Sequence, residues 1–242
     1  MVRIVGNNKI RARVLKGDKV RFISHLDFLN TMNRALRRAN IPIAYSQGYN
    51  PTPNISFATA LAVGLTSDSE YIDFELEEDI DIQEFKDNLN QVLPQGIEIL
   101  EAKQLLSKSK SLASLLRQSS YFARLELTEE LSIDKLREEV ANFLSQKELV
   151  IRRKRRRKKD RVFDIKPMIY RLEVIGVQSD LATIEMLIQT GSSGNLRPEE
   201  VVDALADYLE FVKPAKLVNI HRSGLYIEDN GEIIPPIEAI KR

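Results

Sequence analysis

Three groups of residues have types and spacing suited to chemistry. The first is Arg152 to Lys159, which reads RRKRRRKK, eight cations in succession. The net charge of the whole chain is +1, so without these eight the remainder stands at −7. An acidic body with one concentrated basic segment points to a polyanionic partner, most commonly nucleic acid. Along a strand, Arg152, Lys154, Arg156 and Lys158 would point one way, and Arg153, Arg155, Arg157 and Lys159 the other. With both faces cationic, neither is expected to pack on a core, and the segment is expected to project as an edge or hairpin tip. It would neutralise several phosphates, with steep salt dependence and little sequence selectivity. A solvated charge run or a protein-docking arm would have the same composition.

The second group is the stretch 44–57, AYSQGYNPTPNISF. It has no charged residue in a chain that is 29% charged, which suits an uncharged, flat ligand. Tyr45 and Tyr49 can stack on bases, while Ser46, Gln47, Asn50 and Asn54 can bond base edges or 2′-hydroxyls, as in single-stranded RNA recognition. Gly48 and the two prolines equally suit a tight loop whose polar groups serve its own backbone. Arg34, Arg37 and Arg38 precede it at i, i+3 and i+4, on one face of a helix.

The third group is weaker. His25 lies at a helix start, where the positive helix end favours neutral imidazole and hence a general base; no second partner is fixed nearby by the sequence. Ser193, Gly194, Asn195 and Arg197 precede a helix opened by Pro198, a weak candidate for holding an anion on free amides. The stretch 68–87 holds ten carboxylates without metal-ligand spacing and reads as a solvated face. The absence of cysteine removes disulfides, a thiol nucleophile and thiolate ligation of zinc or iron–sulfur clusters. With only two histidines, no metal site is expected.

Elements that would position these residues follow from periodicity. Lys9–Leu15 and Lys19–Ile23 alternate and read as strands. Ser24 caps a helix with Asp27 as its capping-box acceptor, and Leu26, Leu29, Met32, Leu36 and Ala39 form its buried stripe. Strands at Ile55–Ala58 and Glu70–Leu76, a helix over Ile82–Val92 and a strand at Ile97–Ala102 complete β-α-β-β-α-β. Residues 105–119 read as a connecting helix. The pattern then restarts, with strands at Tyr121–Leu127, from Leu149 into the basic run, at Met168–Ile175, Ala182–Gln189 and Leu217–His221. Its helices run from Ser132 to Leu144 and over Pro198–Phe211, with Pro198 in the first turn. The expectation is an α+β fold of two tandem ferredoxin-like (βαββαβ) units, 1–104 and 120–242. No apolar run is long enough to cross a membrane and no signal peptide opens the chain, so a cytoplasmic protein is expected.

Phe22-Ile-Ser-His-Leu-Asp27, Arg34-Ala-Leu-Arg-Arg38, Ala44-Tyr-Ser-Gln-Gly-Tyr-Asn-Pro51, Ile55-Ser-Phe-Ala58, Ala60-Leu-Ala-Val-Gly64 and Glu70-Tyr-Ile-Asp73 occur in order. With Asp164-Ile-Lys-Pro167 and Leu196-Arg-Pro198, they resemble the radical-SAM-linked protein family. This is a bacterial domain of unknown function found beside or fused to a radical SAM protein. Members usually carry histidine where this chain has Thr52, which disfavours a loop histidine mechanism here. The resemblance implies a radical SAM partner that brings its own iron–sulfur cluster and S-adenosylmethionine, this chain binding neither. The function expected is an RNA-binding accessory protein presenting tRNA or rRNA to that enzyme. A metal-independent endoribonuclease using His25, and a protein-interaction module docking through the basic run, are the alternatives.

Overall fold

The computed structural model describes residues 8–105, 111–154, 159–213 and 219–240. Arg155, Arg156, Arg157 and Lys158 lie outside the described residues. The chain forms a mixed α+β fold that divides into two compact units: residues 1–117 with 224–242, and residues 118–223.

The first unit begins with β1 (Asn8–Lys16) and α1 (His25–Arg38), followed by β2 (Ile55–Phe57) and β3 (Thr66–Leu76). It continues with α2 (Ile82–Val92) and β4 (Ile97–Leu105). β1 lies between β3 and β4, antiparallel to both, with Ile10 opposite Phe74 and Ala12 opposite Ile72. β2 adds to β3, with Phe57 opposite Ile72. Ile10, Ala12, Val14, Ile72, Phe74, Ile97 and Ile99 form a core with Phe28, Met32 and Leu36 of α1 and Phe85 and Leu89 of α2. The α1 stripe is rotated from the expected one. Phe28, Met32, Ala35 and Leu36 are buried, whereas Leu26 is 65% exposed. The expected strand Lys19–Ile23 is instead a 3₁₀ turn at Asp18–Val20 followed by a bend. There the Arg21 carbonyl accepts from the Gly64 amide and the Lys16 ammonium, and Phe22 faces solvent.

Of the expected connecting helix over 105–119, residues 106–110 lie outside the described residues, and the rest is mostly not helical. β4 runs to Leu105, one helical turn, α3 (Leu112–Leu115), follows, and β5 (Leu116–Glu126) starts at once. The second unit continues with α4 (Ile133–Ser145), β6 (Val150–Arg153), β7 (Arg161–Asp164), β8 (Ile169–Gln178), β9 (Leu181–Gln189) and α5 (Pro198–Tyr208). β10 (Asn219–Asp229) and β11 (Glu232–Ile234) close the chain. β5 pairs antiparallel with β9, and β9 with β8. Tyr121, Ala123 and Leu125 face Met186, Ile184 and Ala182 across the β5–β9 pair, all buried. α4 buries Leu136, Val140 and Phe143, and α5 buries Val201, Val202 and Leu205. The strand from Leu149 does not join this sheet. β6 and β7 form a separate hairpin inserted between α4 and β8, with Ile151 opposite Phe163 and Arg153 opposite Arg161.

In the first unit the strand order is β4-β1-β3-β10, with β2 on β3 and β11 on β10, and in the second it is β5-β9-β8. The expected boundary at 120–242 shifts for a further reason. Residues 224–242 belong to the first unit, where Leu225, Ile227 and Ile237 pack with Ala58, Tyr71, Leu112 and Leu116. β10 turns into β11 through Asn230 and Gly231, both with positive φ, the conformation a tight two-residue hairpin requires.

Candidate nucleic-acid interface

The hairpin that carries the basic run is anchored at its base. The Asp164 carboxylate accepts from the Leu149 amide at 2.8 Å and the Lys166 amide at 2.9 Å. The Ile165 amide donates to the Leu149 carbonyl, and Ile165 is fully buried. The Asp164-Ile-Lys-Pro167 motif therefore builds the foot of β6 and β7. Above it, one face of the hairpin turns inward. Arg153 donates Nε and Nη2 to the two carboxylate oxygens of Glu200, each at 2.5 Å, and Nη2 also reaches the Asn195 carbonyl at 2.8 Å. Both side chains of this bidentate pair are less than one-fifth exposed. The Arg153 and Arg161 guanidiniums lie 4.9 and 4.7 Å from the Phe163 ring centre.

The expectation that neither face of the run packs is thus corrected. A guanidinium can be buried where a planar carboxylate and an aromatic ring both receive it. The other face is open: Arg152 is exposed opposite the exposed Val162, and Lys154 is exposed too; Lys159, which alternation places on the Arg153 side, is also exposed. Among the described residues, none of Arg152, Lys154 and Lys159 has an ion-pair partner. Glu200 and Phe163, which hold Arg153, escaped the sequence reading, while Asn195, expected as a weak anion-site residue, lends its carbonyl to Arg153 instead. Glu200 lies 47 residues from Arg153, and only its place in the first turn of a helix distinguished it.

In the first unit, the loop 44–57 is closed in two steps. At its foot, the Ala44 amide donates to the Glu75 carbonyl, and the Asn54 amide to the Ala44 carbonyl. The Asn54 side-chain amide donates to the Glu75 carboxylate at 3.0 Å. At its neck, the Ser46 amide donates to the Thr52 carbonyl at 2.9 Å, the Thr52 amide donates to Ser46 Oγ at 3.0 Å, and the two hydroxyls are 3.2 Å apart. Thr52, where the resemblance places histidine, is therefore part of the neck. Tyr45 is partly buried against the core. Of the six polar and aromatic candidates, Tyr45, Ser46 and Asn54 serve the loop itself. Gln47, Tyr49 and Asn50 stand at its exposed tip, Tyr49 fully in solvent beside Gly48, whose φ of 137° suits only glycine.

Arg34, Arg37 and Arg38 are all exposed on α1. Arg38 donates to the Val92 carbonyl at 3.3 Å, while Arg34 and Arg37 have no ion-pair partner among the described residues. Ser24 and Asp27 form a capping box, so Asp27 is occupied at the helix start. His25 packs edge-on to Phe57 with ring centres 4.9 Å apart. Among the described residues its imidazole has no hydrogen-bond or carboxylate partner. A general base needs such a partner to fix its tautomer and direction.

The turn before α5 presents its own carboxylates where an anion would sit. The Arg197 amide donates to Glu200 at 3.0 Å, Pro198 has no amide hydrogen, and the Glu200 amide donates to the Arg197 carbonyl. Ser193 accepts weakly from Gln189 at 3.4 Å. A Cβ on Gly194 would come within 2.8 Å of the Gln189 side-chain amide, which would have to swing aside. Burial raises the carboxyl of Glu199 above its ordinary value, against the lowering effect of its own amide and Arg197. Among the described residues, no group of three or more metal-ligating side chains is gathered, and no helix is long and apolar enough to cross a membrane.

No curated protein matches the chain. In fold it is similar to a chain in the crystal structure of a Cbf5–Nop10–Gar1 complex, at 12% identity and a TM-score of 0.53. That match covers 93% of this chain and 51% of the other, so this protein spans about half the length of its structural neighbour. A chain in the archaeal box H/ACA sRNP Nop10–Cbf5 complex matches at 11% identity and a TM-score of 0.46, over 90% of this chain and 47% of that one. By a family match over residues 9–198, the chain belongs to DUF2344, a family of uncharacterized proteins conserved in bacteria.

Proposed function

We propose that the protein binds RNA through the outer face and tip of the β6–β7 hairpin and presents it to a partner enzyme. The observation that carries this reading is the division of the hairpin into two faces. One is fastened by Arg153–Glu200, and the other holds Arg152 and Lys154 out as exposed cations without an ion-pair partner among the described residues, with Lys159 also exposed where the chain returns to β7. A fixed cationic ridge meets phosphates without ordering a floppy arm first, which lowers the entropy cost of binding. The likeness to the Cbf5–Nop10–Gar1 chain concerns the fold; the charge arrangement carries the RNA assignment. The RNA is tRNA or rRNA, and the partner is a radical SAM modification enzyme that supplies cluster and S-adenosylmethionine. The exposed tip of the 44–57 loop, with Gln47, Tyr49 and Asn50, receives an unstacked nucleotide.

The test is binding of fluorescently labelled tRNA measured against salt. Replacing Arg152, Lys154 and Lys159 together by glutamine is expected to flatten the slope of log K against log salt by about 2 to 3, roughly 0.7 to 0.9 per phosphate contact. Affinity should fall accordingly at low salt, with no change in thermal unfolding. Equal affinity and slope in the triple variant would sink the reading. The RNA held in cells is then identified by crosslinking and sequencing.

A further inference from the structure

A groove of about 620 Å³ lies between α4, α5 and β6 of the second unit. Its apolar lining is held in place yet half open to water. The Tyr208 ring stands edge-on to Phe143 with ring centres 5.5 Å apart, and its hydroxyl accepts from the Gln146 side-chain amide at 3.1 Å. Tyr208 is nevertheless 40% exposed, and Val150 on β6 is 51% exposed. Val150 and Arg152 point to one side of β6, where Val162 of β7, opposite Arg152, is also more than half exposed. Charges of both signs line the same groove. Glu148, Asp203 and Asp207 bring carboxylates, and Arg152 brings a guanidinium. Glu148, Asp207 and Arg152 are exposed, and among the described residues none of the three has an ion-pair partner. Opposite charges thus share one small face without neutralising each other within the chain.

A partner of a single charge sign meets a like charge here. In the groove, RNA would meet Glu148, Asp203 and Asp207, and a purely basic segment would meet Arg152, each at a cost. The partner that fits must offer a carboxylate to Arg152, a cation to the carboxylates and an aliphatic group to Tyr208. This face carries all three itself. That is the condition for a two-fold contact, in which each copy presents the same self-complementary patch. We infer that the groove seats a second copy of this chain in a symmetric dimer. Arg152 of each copy meets Glu148 and Asp207 of the other, and Val150 and Val162 cover Tyr208. Arg152 also belongs to the RNA-binding ridge proposed above, so RNA and the second copy compete for it. Only this competition rests on the RNA-binding reading.

Native mass spectrometry of the full chain, first without RNA, counts the chains in each particle. The wild type should give a dimer at low ammonium acetate that dissociates as the salt is raised, since exposed pairs are screened. Arg152→Glu, and separately Glu148→Lys combined with Asp207→Lys, should each weaken the dimer by at least about tenfold, because like charges then face each other. All three side chains are exposed, so thermal unfolding should change little. Mixing the two variants should restore a dimer with one chain of each, whose pairs are all of opposite sign. A monomeric wild type overturns the inference, as does a dimer that both variants leave intact or a mixture that stays monomeric. In those cases the tRNA salt titration above still decides the RNA reading by itself. If the wild type dimerises but binds no tRNA, the dimer stands and the RNA reading falls. Where both hold, added tRNA should convert dimers to RNA-bound single chains, and tRNA on an intact dimer overturns the competition.

Discussion

Arg152 and Arg153 are chain neighbours with opposite environments. Strand alternation separates them onto two faces, and that much follows from the sequence. Their roles depend on what each face meets. Arg152 meets solvent, and its replacement by glutamine should flatten the RNA salt slope by about 1 while changing stability by less than about 0.5 kcal/mol. Arg153 meets Glu200 and Phe163. Arg153→Ala leaves a largely buried carboxylate unpaired and is expected to cost about 2 to 4 kcal/mol in chemical denaturation. Glu199 gives a second prediction at this scale. Burial holds its folded-state pKa above the ordinary 4.5 of the unfolded chain. Below that value both states are protonated and nothing is lost. As pH rises from there through the folded value, the unfolded state ionises first and stability falls. Glu199→Gln should therefore be more stable than wild type at pH 7 and lose this advantage below pH 4.5, read from denaturation midpoints against pH.

At the scale of elements, α1 shows what periodicity tells and what it leaves open. Its span and its Ser24–Asp27 cap follow from local chemistry. The direction of its buried face does not, because Leu26, Phe28 and Leu29 are all apolar near the start and two stripes share Met32 and Leu36. Packing against β1, β3 and α2 selects the stripe that contains Phe28 and Ala35. Met32→Ala should cost about 2 to 5 kcal/mol in denaturation, and Leu26→Ala less than about 0.5. The candidate loop was read in the same partial way. Its lack of charge and its turn residues were visible in the sequence. Which polar side chains remain available was fixed by Glu75 of β3 and by the Ser46–Thr52 neck. The missed turn at Asp18–Val20 has a similar cause, since an alternating pentapeptide becomes a strand only if a neighbouring strand pairs with it.

At the scale of the whole molecule, the C-terminal residues 224–242 complete the first unit. The Pro236 carbonyl accepts from Arg11 at 3.0 Å, and Arg11 also holds Asp73 through two bonds. Ile237 is 4% exposed in the cluster with Tyr71 and Leu116. Ile237→Ala should lower the stability of the first unit by about 2 to 4 kcal/mol, seen as faster limited proteolysis within residues 8–105 than within 118–213. By itself, the sequence determined the α+β class, most helices and strands with their caps, and the position of one cationic segment in an acidic chain. These depend on residues a few positions apart, where spacing along the chain is also spacing in space. Only the tertiary structure decided the strand partners within each unit, the return of the C-terminal strands to the first unit and the split of the basic hairpin into a fastened and an exposed face. The last two rest on contacts between residues 225 and 47 positions apart, Arg11 with Pro236 and Arg153 with Glu200. Whether such distant groups meet depends on which arrangement buries the most apolar surface while satisfying the polar groups it encloses, a condition on the whole chain that no local window contains.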